Sequence, residues 1–153
     1  MRVELNGTVP RPSTSLAAAF FTGAGVMHFA RPDFFESIVP EWFRDKRLAN
    51  SVSGAAEIAL GLGLLPARTR RASALSLIAL VVAVFPANID MAINNVEVKP
   101  VDGKMSRSVG TAVGAGRVVN WVRLPLQIPI AVALWRIARQ AAPTLNTTTV
   151  NAA

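Results

Sequence analysis

Cysteine is absent from the 153-residue chain, and only one histidine is present. The first absence excludes disulfides, thiolate metal sites and any dithiol relay within this chain. The second leaves no His-rich metal site, and together they exclude a Cys–His nucleophile. Charge is also scarce. Charged residues make up 16% of the chain, against about 25% in an ordinary soluble domain. Serines occur, but nothing in the pattern places a base beside one, so no catalytic residue is expected. The chain is not expected to be an enzyme on its own.

What is present is apolar surface. Hydrophobic residues reach 52% and the mean hydropathy is +0.40. The apolar residues gather in four long windows, which makes a lipid bilayer the expected partner. Net charge is +7 and the pI is near 11.5. Lys and Arg lie in short clusters between the windows, with no basic stripe interleaved with aromatics. That is a pattern of membrane-protein loops, and no nucleic-acid partner is expected. The length suits one domain.

The windows predict an all-α, integral membrane four-helix bundle. The first helix is expected at Ser15–Phe29, the second at Leu48–Leu65, the third at Ala72–Asp90 and the fourth at Arg117–Ile137. A short interfacial helix is expected between the first two. There, Pro32 and Pro40 bound an amphipathic piece carrying Phe34, Phe35 and Ile38, which suits the headgroup level. A polar N-terminal segment at 1–14, a helical domain at 15–139 and a tail of disorder-like composition at 140–153 complete the division. Residues 91–117 read as a long polar loop. Leu16–Ala30 is followed by "FARPDFF" rather than a small-residue cleavage site, so it reads as an uncleaved helix. The dense basic turn "RTRR" at 68–71 favours both termini on the cytoplasmic side of a bacterial inner membrane. "GTAVGAG" at 110–116 lacks the Lys-Ser/Thr and the preceding strand of a phosphate loop, so it is not read as a nucleotide site.

Polar residues inside the apolar windows carry the functional expectation. Glu57 falls roughly 14 Å along the second helix from Leu48, and Arg123 roughly 8 Å along the fourth. An unpaired carboxylate at membrane depth costs on the order of 3 kcal/mol, so Arg123 is the expected partner of Glu57. Gln127 is one turn from Arg123 and shares its face. Pro125 and Pro129 each free a carbonyl one turn earlier. His28 and Asn88 end their helices at the same side of the bundle. The five residues His28, Glu57, Asn88, Arg123 and Gln127 are therefore the candidate ligand-binding set. Helix locking is the plain alternative for the Glu57–Arg123 pair, and His28 sits near an interface where it is easily solvated. Gly54, Gly61 and Gly63 read as helix-packing contacts.

The segments "GVMHFARPDFFESIVP", "SGAAEIALGLGLL", "RTRRASALSLIALVVAVFPANIDMA" and "WVRLPLQ" together resemble DoxX-like membrane proteins over residues 17 to 137. The resemblance implies a bacterial inner-membrane four-helix bundle. It also implies association with redox enzymes, because the family's namesakes include a subunit of an archaeal thiosulfate:quinone oxidoreductase. A quinone-like cofactor or other small hydrophobic ligand, and redox-enzyme partner subunits, follow as expectations from it. A small proton-coupled transporter using Glu57 and a purely structural membrane partner are the alternatives.

Overall fold

The computed structural model describes residues 9–141. Within them the chain forms α1 (Pro12–Ala30), α2 (Pro32–Ile38), α3 (Lys46–Gly63), α4 (Ala67–Ile93), β1 (Glu97–Val101), β2 (Lys104–Ser108) and α5 (Gly114–Gln140). The expected tail lies outside the described residues from 142 onward, as do residues 1–8 of the N-terminal segment.

This corrects the expected fold. Five helices and a two-stranded sheet replace the four-spanning-helix membrane bundle. Among the described residues, only α4 and α5 are long and apolar enough to cross a membrane. The reason lies in what the small and polar residues of α1 and α3 do. Gly25, Gly54 and Gly61 form a seam between these two helices: a Cβ on Gly25 would stand 2.6 Å from the Gly54 carbonyl oxygen, and one on Gly61 would stand 2.8 Å from the Thr22 amide nitrogen. Such residues let backbones approach closely, but they dilute the apolar content that a span requires. Asn50, Ser53 and Glu57 dilute α3 further.

Local chemistry sets the helix ends. The Asp45 side chain accepts from Leu48 N at 2.8 Å and caps α3, as an N-cap carboxylate should. Pro12 and Pro32 occupy the first turns of α1 and α2, where a missing N–H costs nothing. The basic turn at 68–71 belongs to α4 rather than to a loop. Its Arg70 folds back to donate to Leu64 O at 2.9 Å and to Leu65 O. Arg70 thus satisfies carbonyls left open at the end of α3.

The four long helices alternate in direction. They are packed at the end where α1 starts and α5 finishes, around Phe21, Leu64, Leu77 and Leu134. At the opposite end the expected polar loop is an antiparallel β-hairpin, pairing Val101 with Lys104. Asp102 and Gly103 both have positive φ, +48° and +79°, the backbone of a tight two-residue hairpin turn. The hairpin docks on α2: Met105 N donates to Asp33 Oδ2 at 3.0 Å, and Ser37 Oγ donates to Met105 O at 2.9 Å. Arg107 forms an ion pair with Asp90. Buried Asn120 donates to Met91 O at 3.2 Å and Val96 O at 2.7 Å, holding α5 to the end of α4.

Candidate functional site

Beneath α2, lined by residues of all four long helices, lies a cavity of about 620 Å³. That volume falls within the ~300–1,000 Å³ common for small-molecule sites. Phe35 and Ile38 of α2, Val52 of α3, and Leu80 and Val84 of α4 make most of its wall apolar. Six polar side chains interrupt it: His28, Asn50, Ser53, Glu57, Asn88 and Arg123.

Four of the five residues singled out from the sequence therefore meet in one cavity, each from a different long helix. Gln127 does not line it. Although it follows Arg123 by one turn, it lies nearer the packed end of α5 and is not among the cavity-lining residues. Asn50 and Ser53 were not anticipated, yet their spacing from Glu57 carried a signal. Positions 50, 53 and 57 repeat at three and four residues and share one helix stripe. Asp90, the expected last residue of the third helix, lies within the final turn of α4 and is buried against Arg107.

The expected pairing of Glu57 with Arg123 does not form. Glu57 faces His28, with Oε2 3.5 Å from Nε2, and these side chains are only 17% and 13% exposed. Arg123 Nη1 donates to Met91 Sδ at 3.0 Å. His28 is held by two further contacts. Its ring stacks on Phe35 with centroids 3.9 Å apart, and its Nδ1 is 2.7 Å from Asn50 Oδ1. The Asn50 amide nitrogen donates to the His28 carbonyl at 3.1 Å. That orientation turns the amide oxygen to His28 as an acceptor, so Nδ1 carries the hydrogen and Nε2 is left towards Glu57. One proton can then sit on either side of the Nε2–Oε2 gap.

Burial pushes the Glu57 carboxyl up to about 7. Burial also pushes His28 down, against its hydrogen bonds to Asn50, which pull it up. Both shifts favour the neutral pair. The charged or titratable groups facing Glu57 around the cavity are His28 from α1 and Arg123 from α5; α4 presents neutral Asn88. Because the folded-state value of Glu57 is raised, the folded protein holds a proton that the unfolded chain releases. Its stabilising effect is complete below the ordinary value of 4.5 and is lost as pH rises through about 7. The ceiling is about 3 kcal/mol. His28 acts the other way, weakening the fold as pH falls below 6.5. Glu57→Gln should therefore remove the loss of stability between pH 5 and 8 and leave the variant the more stable protein at pH 8. Thermal unfolding across that range checks this; parallel curves for both proteins would refute a buried, proton-bearing Glu57.

A protein-family model described as "Domain of unknown function (DUF8561)" matches residues 16–138. The chain belongs to this family. The DUF8561 match takes in nearly all of α1 to α5, so every cavity residue named above lies within it. No curated protein and no solved structure matches the chain.

Proposed function

We propose that this chain is a membrane protein that binds a small, largely apolar ligand bearing oxygen acceptors, such as a quinone, in the cavity beneath α2. The observation that carries the reading is the meeting of His28, Glu57, Asn88 and Arg123 in one apolar-walled cavity. Polar groups brought together in an apolar wall cost stability unless something uses them. The DoxX-like resemblance supports a redox-associated subunit working with enzyme partners. The His28–Glu57 pair favours a second reading, proton-coupled transport through Glu57.

In this reading α4 and α5 pass through a bacterial inner membrane. Exposure supports it: only 22% and 11% of their most apolar windows are buried, whereas the core helix of a soluble domain hides such a face. Val82, Val122, Leu126, Ile128 and Val132 all stand exposed along them. The charge pattern supports termini in the cytoplasm. Arg68, Arg71, Arg136 and Arg139 flank the end of α4 and α5 nearest the described termini, and no Asp or Glu occurs at 58–89 or 103–141. Basic residues near short turns stay on the cytoplasmic side.

The test uses the full chain, extracted from membranes with a mild detergent, and menadione as the quinone probe. Menadione should raise the wild-type melting temperature, because a ligand that binds only the folded state stabilises it. Ala87→Phe fills the cavity from α4 and should abolish the shift. A chain released from membranes by carbonate alone would contradict the membrane reading. An equal menadione shift in Ala87→Phe would contradict the cavity reading.

A further inference from the structure

Arg123 is the one residue in the cavity wall whose chemistry a neutral ligand does not satisfy. Its guanidinium is half-buried and donates to the thioether of Met91 at 3.0 Å, a weak acceptor. No carboxylate lies within 4 Å of it among the described residues. Other arginines that leave solvent are treated differently. Arg107, 6% exposed, meets Asp90 and lies 3.8 Å from Glu41. Arg70 donates to two backbone carbonyls. The carboxylate best placed to neutralise Arg123, Glu57 in the same cavity, faces His28 instead. The fold therefore presents an always-charged, five-donor fork to an apolar cavity and withholds its counter-ion.

We propose that the cavity takes an amphiphile with an anionic head, a carboxylate or a phosphate, and that Arg123 holds that head. The inference rests on the cavity reading above and narrows its ligand. A neutral carbonyl accepts a hydrogen bond from the guanidinium but leaves its charge uncompensated in low-dielectric surroundings, which is costly. An anionic head removes that cost and can accept two parallel N–H bonds from the planar fork. The rest of the ligand is apolar, since Ile38, Val52, Leu80 and Val84 surround the remaining volume. A carboxylate or phosphate at Arg123 does not meet a second bare anion across the cavity, because Glu57 keeps its proton beside His28 up to about pH 7. Free fatty acids and single-chain phospholipids share this chemistry.

The experiment compares decanoate, methyl decanoate, decyl phosphate and menadione on the purified full chain in neutral detergent at pH 6.5, read as dissociation constants and melting shifts. Decanoate should bind at least roughly tenfold more tightly than its methyl ester, the margin of a charge-assisted hydrogen bond over a neutral one. Arg123→Leu should erase that margin, and Arg123→Lys should keep part of it, having the charge without the fork. A decyl phosphate affinity above that of decanoate assigns the site to a lipid phosphate; the reverse order assigns it to a fatty acid. The wild-type acid–ester comparison needs no variant, so a poorly folding Arg123→Leu does not block the test. Equal affinity for acid and ester, with menadione still bound in an Ala87-sensitive way, overturns the anion inference and leaves the cavity reading standing. If none of the four probes shifts the melting curve, both fall.

Discussion

Arg107→Ala should cost about 3–5 kcal/mol of stability, the usual penalty for stranding one member of a buried ion pair. Arg107 sits on β2, yet it ties together three separate parts of the chain. It pairs with Asp90 at the end of α4, lies 3.8 Å from Glu41 in the α2–α3 connection, and reaches the Ser37 carbonyl at 3.5 Å. The Arg107 side chain is 6% exposed and that of Asp90 11%, so solvent screens the pair little. Removing the guanidinium leaves the Asp90 carboxylate with the Asn94 side-chain amide, 2.8 Å away. The hairpin should loosen from α2 and become sensitive to protease near Asp102–Gly103. Asp90→Asn combined with Arg107→Met should cost less than the two single changes added, because neither variant strands a charge in the presence of the other. A single-variant loss below 1 kcal/mol in thermal or denaturant unfolding would mean that the hairpin is not fastened by this pair.

Gly25→Ala and Gly23→Ala should move stability in opposite directions, though they lie two residues apart on the same helix. At Gly25 an added methyl would stand 2.6 Å from Gly54 O and 2.8 Å from Ile58 N. Both obstacles are backbone, so α1 and α3 must separate, at a cost of about 3 kcal/mol, near the top of the usual range for overpacking. At Gly23 the same methyl meets nothing within 4 Å. There the exchange gains helix propensity, up to about 1 kcal/mol in a helix interior. The consequence of the first variant extends to the cavity. Gly54 packs against the His28 Cβ, where an added methyl would come within 2.5 Å. Spreading the seam therefore shifts His28 away from Asn50 and Glu57. Melting temperatures of the two variants, with menadione shifts alongside, check the pair of expectations. A Gly25→Ala protein as stable as wild type would show that the seam is looser than these distances require.

Much of the helical layout was legible because it depends on local chemistry. Pro32, Pro40 and the apolar windows all act within a turn or two of themselves. The hairpin was legible only in part. "VDGK" carries the Asp-Gly pair that a tight two-residue turn favours, but Gly, Ser and Lys around it read equally as loop. What holds the hairpin in place is Asp33 and Ser37 on α2, 72 and 68 positions from Met105, and such partners leave no periodic trace.

The sequence by itself determined which residues reach the cavity end of the molecule. Helices that alternate in direction return to the same level, so His28, Glu57, Asn88 and Arg123 were bound to arrive together by depth alone. Tertiary structure decided which of them touch. Depth along a helix is one coordinate; rotation about its axis and the gap to its neighbour are two more. Those are set by the glycine seam that draws α3 onto α1 and by the Asn120 and Arg107 contacts at the end of α4. That arrangement turns Glu57 towards His28, places Gln127 outside the cavity, and leaves Arg123 facing it with only a thioether as partner among the described residues. The same seam spends the small residues of α1 and α3 on each other, so among the described residues α4 and α5 alone keep the length and apolar composition of membrane-crossing helices.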